Sequence, residues 1–113
     1  MTDVRVHGVV TLPCNTLPNS TVVWQYQQCC DNFEDGVYFC AIQTDVAVGN
    51  QYQIRRKEPG ENSLLINDVT KDMTGLYTCK DRDHDKVHYR VLLNVISKYN
   101  SVLLFFFILH IFV

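Results

Sequence analysis

The stretch Gly75-Leu76-Tyr77-Thr78-Cys79 decides the fold. Tyr77 and Cys79 fall two apart and share one side of a period-two segment, the spacing of a half-buried strand. It follows Leu64-x-Ile66-x-x-Val69, whose Leu64 and Ile66 point inward from a strand over 63–67. After it, Tyr89, Val91, Leu93 and Val95 line one face of a last strand. Toward the N-terminus, Val22, Trp24 and Tyr26 share a face, as do Val10, Leu12 and Cys14. Pro18-Asn19-Ser20 and Glu58-Pro59-Gly60-Glu61-Asn62 supply turn chemistry, and Asp31 to Gly36 is a loop by composition. Val37 to Gln43 reads as a strand and Asn50 to Lys57 as a weaker, basic one. Short strands at intervals of about 8 to 12 residues make an all-β sandwich or barrel. No stretch within 1–96 has helical spacing, and there is no internal repeat.

The chain has 113 residues, 47% apolar and 19% charged, which suits one domain with a modest core. Ten Lys and Arg against twelve Asp and Glu leave a net charge of −2, with no basic stripe interleaved with aromatics. That balance argues against nucleic acid as a partner. A domain of this size is marginally stable without a staple.

Five cysteines could supply one, and at this density they read as a disulfide framework in an oxidising compartment, with one thiol left over. No C-x-x-C occurs: the positions are Cys14, Cys29, Cys30, Cys40 and Cys79. His84 and His88 have a zinc-ligand spacing, but no cysteine pair completes the motif. Metal and cofactor are therefore expected to be absent. Asn19-Ser20-Thr21 is a glycosylation sequon at a turn, which marks Asn19 as a candidate acceptor.

The constellation of Cys14, Trp24 and Cys79, with Tyr77 two residues before the second cysteine, resembles an immunoglobulin V-set domain over nearly all of residues 3–96. Trp24-x-x-Gln27 and the Leu64 to Cys79 segment match that family's spacing as well. The resemblance implies an immunoglobulin-like V-type sandwich of two antiparallel sheets. It also implies a Cys14–Cys79 bridge between strands B and F, Trp24 packed against it, and a Tyr77 hydroxyl tying the E–F corner to the backbone. One position departs: Met73 stands where the family carries Asp, and Asp72 lies one residue earlier, poorly aimed for an ion pair with Arg55 or Arg56. The last strand reads His88-Tyr89-Arg90-Val91, without the Gly-x-Gly of rearranged antigen receptors.

By the same resemblance a second bridge joins Cys40 to Cys29 or Cys30, with Cys30–Cys40 the favoured pairing; the remaining thiol is available for an intermolecular link. The F–G loop, Lys80 to Lys86, becomes a ligand-contacting loop through Asp81, Arg82, Asp83, His84 and Asp85, with Asn15 to Thr21 and Asp45 to Asn50 as expected neighbours. Asp81, Asp83 and Asp85 imitate the opening of a calcium loop, but Lys86 and Leu92 occupy positions that need Gly and Glu. The alternative for this segment is a solvated hairpin tip.

Residues 1–14 contain no apolar leader core. Residues 97–101 read as a juxtamembrane linker and 102–113 as a hydrophobic tail, apolar except for His110. Twelve helical residues rise about 18 Å against a hydrocarbon core of about 30 Å, so the tail is the first part of a membrane span, a lipid-anchor signal or a packed segment.

The function implied is a non-catalytic, immune-type recognition module at the plasma membrane. Its domain faces outward and binds a protein ligand or receptor on another cell, in a receptor or costimulatory-like role. A homophilic adhesion module, disulfide-linked or not, and a soluble or anchored fragment are the alternatives. An enzyme would need Cys29 or Cys30 as thiolate with His7, His84 or His88 as base. No nucleophile elbow or phosphate cradle supports that reading.

Overall fold

The computed structural model describes residues 1–29 and 42–97. They form eight strands: β1 (Thr2–Arg5), β2 (Val10–Leu12), β3 (Val22–Gln28), β4 (Thr44–Asp45), β5 (Tyr52–Arg55), β6 (Ser63–Ile66), β7 (Gly75–Asp81) and β8 (Val87–Ile96). A single 3-10 turn, Lys71–Met73, precedes β7. The strands make a five-stranded sheet, in the order β1-β8-β7-β3-β4, and a three-stranded sheet, β2-β6-β5. Pairing is antiparallel except for β1, which runs parallel to β8. The result is a two-sheet V-type sandwich.

Register explains which residues meet inside. Trp24 lies opposite Cys79, which in turn lies opposite Tyr89, and the next inward row is Tyr26, Tyr77 and Val91. The other sheet contributes Leu12, Leu64 and Ile66 to a core that also holds Val69, Met73, Leu93 and Val95. Cys14 and Cys79 are bonded, with Cα atoms 6.4 Å apart, so the bridge passes through the core between the sheets. In the chain-entropy account a loop of this length contributes roughly 4 kcal/mol by constraining the unfolded chain.

Two corners fix how the strands enter this core. At the first, Tyr77 donates its hydroxyl hydrogen to the Met73 carbonyl at 2.8 Å, and Tyr26 reaches the carbonyls of Asp72 and Thr74 at 2.5 and 3.0 Å. At the second, Glu58 to Glu61 close a turn through Glu61 N–H to Glu58 C=O at 3.0 Å. Gly60 there has φ +83°, and a Cβ would fall 2.2 Å from the Thr16 carbonyl oxygen, so only glycine fits. Its own carbonyl accepts from the Thr16 N–H at 2.8 Å.

Several expected boundaries move. The structure adds β1, which the residue pattern left unassigned; it is a short edge strand held by parallel pairing with Leu93 to Ile96. The basic strand narrows to Tyr52–Arg55. Ile42 and Gln43 lie outside any strand, whereas Thr44 and Asp45, which the pattern left outside that strand, pair with Tyr26 and Gln25. Cys14 follows β2 rather than ending it, yet its side chain is still buried. The loop 31–36, the rest of the 37–43 strand, and the Cys30–Cys40 pairing lie outside the described residues, as do residues 98–101 of the linker and the 102–113 tail. Among the described residues no helix is long and apolar enough to cross a membrane.

Candidate functional site

The five-stranded sheet covers the core with one face and turns the other outward. Residues in register share a face, so the outward rows are Gln27, Leu76 and Leu92, then Gln25, Thr78 and Arg90, with Val23 beside Lys80. Leu76 and Leu92 are half-buried and lie opposite one another on β7 and β8, whereas Val23, also half-buried, lies two rows away beyond Gln25, Thr78 and Arg90. Around the leucine pair stand Gln27, Arg90, the Gln25–Asp45 hydrogen bond at 3.2 Å and the Asn94–Asp3 hydrogen bond at 3.3 Å. An apolar centre inside a polar rim is the anatomy of a protein-binding patch. Thr78 sits in the adjoining row between Gln25 and Arg90, with its hydroxyl buried and, among the described residues, without a hydrogen-bond partner.

The F–G loop stands at one end of this sheet. A register shift after Cys79 sets His88 between the paired residues Tyr89 and Val87, and its Nε2 meets Asp81 Oδ1 at 2.5 Å. Asp81 N–H donates to the Lys86 carbonyl at 2.9 Å, which closes the loop, and Asp85 lies 4.0 Å from the Lys80 ammonium. Arg82, Asp83, His84 and Asp85 are exposed. Asp81 is thus spent on His88 and Asp85 is turned toward Lys80, so the aspartates do not converge. Among the described residues no group of three metal-ligating side chains is assembled.

Asn15 to Thr21 does adjoin this loop. The Arg82 N–H donates to the Thr21 carbonyl at 2.9 Å, and a depression of about 220 Å³ is lined by Asn19, Ser20, Thr21, Asp81, Asp83 and His84. The expected third neighbour, Asp45 to Asn50, does not join them. Gly49 bonds Tyr52, and Gln51 is tied to Asn67 and Asp68, at the opposite end of the sandwich. The reason is that the chain crosses to the other sheet after Val46, whose N–H donates to the Trp24 carbonyl at 2.8 Å.

The described residues of the catalytic alternative are likewise dispersed, and Cys30 lies outside the described residues. Cys29 N–H donates to the Thr74 carbonyl, at the end of β7 away from His84 and His88, while His7 is paired with Asp68 at 2.7 Å.

Asn62 is a polar centre that the residue pattern did not single out. It is buried; its carbonyl accepts the Trp24 indole N–H at 2.8 Å, its Oδ1 accepts Arg56 Nε at 3.0 Å, and its Nδ2 donates to Thr16 Oγ1 at 3.1 Å. Arg55 meets Glu61 at 3.9 Å, and Asp72 accepts the Thr70 hydroxyl. Both arginines are therefore engaged elsewhere than at Asp72, while Met73 fills the core at the departing position.

Burial raises the titration of both core tyrosines. Tyr77 is pushed far above its ordinary value, first by desolvation and then by its hydrogen bond with Tyr52. Tyr52 is raised by burial, partly offset by Tyr77. Both stay protonated at physiological pH and act as hydrogen-bonding struts.

The immunoglobulin V-set domain model matches residues 2–96. No curated protein matches. Among solved structures, the chain is similar to Dpr11 IG1 in its complex with DIP-gamma, at 23% identity and TM-score 0.56, over 84% of this chain and 96% of that one. It is similar to an IG1 domain of the ZIG-8–RIG-5 heterodimer, at 19% identity and TM-score 0.54, over 84% and 80%. A third is the Ig1 domain of mouse SynCAM 2, at 22% identity and TM-score 0.53, over 87% and 92%. At these identities the likeness shows the fold.

Proposed function

Because the chain belongs to the immunoglobulin V-set family, we propose that it is a non-catalytic recognition module of the cell surface that binds another immunoglobulin-type domain through the outward face of its five-stranded sheet. The observation that carries this reading is the Leu76–Leu92 pair on that face, half-buried and flanked by Gln27 in its own row and by the Asp45, Gln25, Thr78 and Arg90 row beside it. The F–G loop lies farther along, at one end of the sheet. Support for the partner class comes from the structural neighbours, which include an IG1–IG1 heterodimer and an IG1 homodimer.

On this reading the apolar run 102–113 holds the domain at the plasma membrane, facing outward, and the Asn19 sequon marks passage through the secretory route. An immune-type, receptor or costimulatory-like role follows from the family resemblance. The adhesion reading differs only in the partner being a second copy of the chain, and the homodimeric neighbours favour keeping it.

The test is a binding screen of the chain, displayed on cells, against an array of soluble immunoglobulin-domain ectodomains that includes its own. Saturable binding to one member, or to itself, is expected. Absence of binding across the array, with the displayed chain folded, overturns the proposal.

A further inference from the structure

We propose that Asn19 carries an N-linked glycan whose first sugars lie over the depression beside the F–G loop, screening that loop and leaving the sheet face as the accessible recognition surface. The inference rests on the cell-surface reading above and narrows its binding site to one of two candidate surfaces.

Three observations converge. First, Asn19-Ser20-Thr21 is a complete sequon with no proline at its middle position. Second, Asn19 is exposed at the third position of a turn that runs from Leu17 to Ser20, closed by Ser20 N–H to Leu17 C=O at 3.0 Å. A side chain there projects into solvent, where a transferase can reach it. Third, the turn separates two depressions, and only one of them includes Asn19. The one of about 320 Å³ toward the Glu58–Glu61 turn is lined by Pro18 and Ser20 but not by Asn19. The one of about 220 Å³ toward the F–G loop is lined by Asn19 itself with Asp81, Asp83 and His84. A group attached at Asn19 is therefore delivered to the F–G side, among carboxylate and imidazole groups that hydrogen-bond sugar hydroxyls. The Arg82 N–H to Thr21 C=O bond fixes the distance between the acceptor turn and the loop.

The co-reactant is a lipid-linked oligosaccharide pyrophosphate. A bond forms between Asn19 Nδ2 and the anomeric carbon, the bond from that carbon to the pyrophosphate oxygen breaks, the lipid pyrophosphate leaves with the electron pair, and one amide proton is released.

The test expresses the full chain behind a secretory leader in mammalian cells and reads the protein at the surface. Peptide mass spectrometry is expected to show hexosamine-containing glycan on Asn19, removed by peptide-N-glycosidase with conversion of Asn19 to Asp. Asn19→Gln and Thr21→Ala should abolish it, and Thr21→Ser should retain it. Shielding is read separately by diethylpyrocarbonate labelling. His84 should react several-fold faster in Asn19→Gln than in the glycosylated chain, while His7, at the far end of the sandwich, reacts equally in both. Surface protein with Asn19 unoccupied overturns the proposal alone, as does an occupied Asn19 with His84 labelling unchanged. A chain that never reaches the surface overturns the cell-surface reading beneath it as well.

Discussion

The Trp24 indole N–H is hydrogen-bonded to the carbonyl of Asn62, 2.8 Å away and on the connection into the opposite sheet. The residue at the centre of the family pattern is thus held by a polar residue outside it. Trp24→Phe removes the donor and leaves a buried carbonyl unpaired, a loss of about 2 kcal/mol or more. Asn62→Ala removes the hydrogen bonds to Thr16 and Arg56, both of which water can replace, and costs about 1 kcal/mol. Urea unfolding, with the midpoint shifted at constant slope, measures both. An unchanged midpoint for Asn62→Ala would show the network to be incidental.

Why the first of these residues was legible and the second was not follows from their chemistry. Cys14, Trp24, Tyr77 and Cys79 are legible because each falls on the apolar side of an alternating run and because together they match the V-set pattern, and it is that resemblance that implies which strands meet. Asn62 is a polar residue in a turn, where sequence alone cannot distinguish a buried hub from a solvated loop. The outward patch escaped for a related reason: Leu76 and Leu92 alternate with the core positions, so they read as the solvent face of a strand. Only register shows them to be side by side. β1 was invisible because its stability comes from a partner almost the whole chain away.

The Cys14–Cys79 bridge is expected to supply a large part of the stability. Replacing both cysteines by alanine should lower the unfolding free energy by roughly 4 kcal/mol. Chemical denaturation of the two proteins side by side measures it, and equal stability would place the staple elsewhere.

Thr78 offers the opposite sign. Its hydroxyl is buried with no hydrogen-bond partner among the described residues, so Thr78→Val removes a desolvated polar group at nearly constant shape. A gain of about 1 kcal/mol is expected, read as a rise in Tm. A loss would mean that the hydroxyl is satisfied in solution.

Alkali should destabilise the domain through its core tyrosines. The titration of Tyr77 and Tyr52 is raised in the folded state above the ordinary value of 10.0. The unfolded chain therefore gives up these protons first. Their contribution is fully present below about pH 10 and is lost as pH rises beyond it. Stability followed from pH 7 to 12 should be level with respect to these groups and then fall, and Tyr77→Phe should flatten the fall.

The most direct test of the account compares two sets of substitutions for binding to the partner found in the ectodomain screen. Leu76→Glu with Leu92→Glu places carboxylates in the middle of the sheet face, and Asp83→Ala with His84→Ala alters the loop; circular dichroism establishes that both variants fold. The account predicts that the sheet variant loses more than about thirtyfold in affinity, the effect of removing a central contact contributing about 2 kcal/mol, while the loop variant binds as the parent does. Binding that survives the sheet substitutions and fails on the loop substitutions would contradict it.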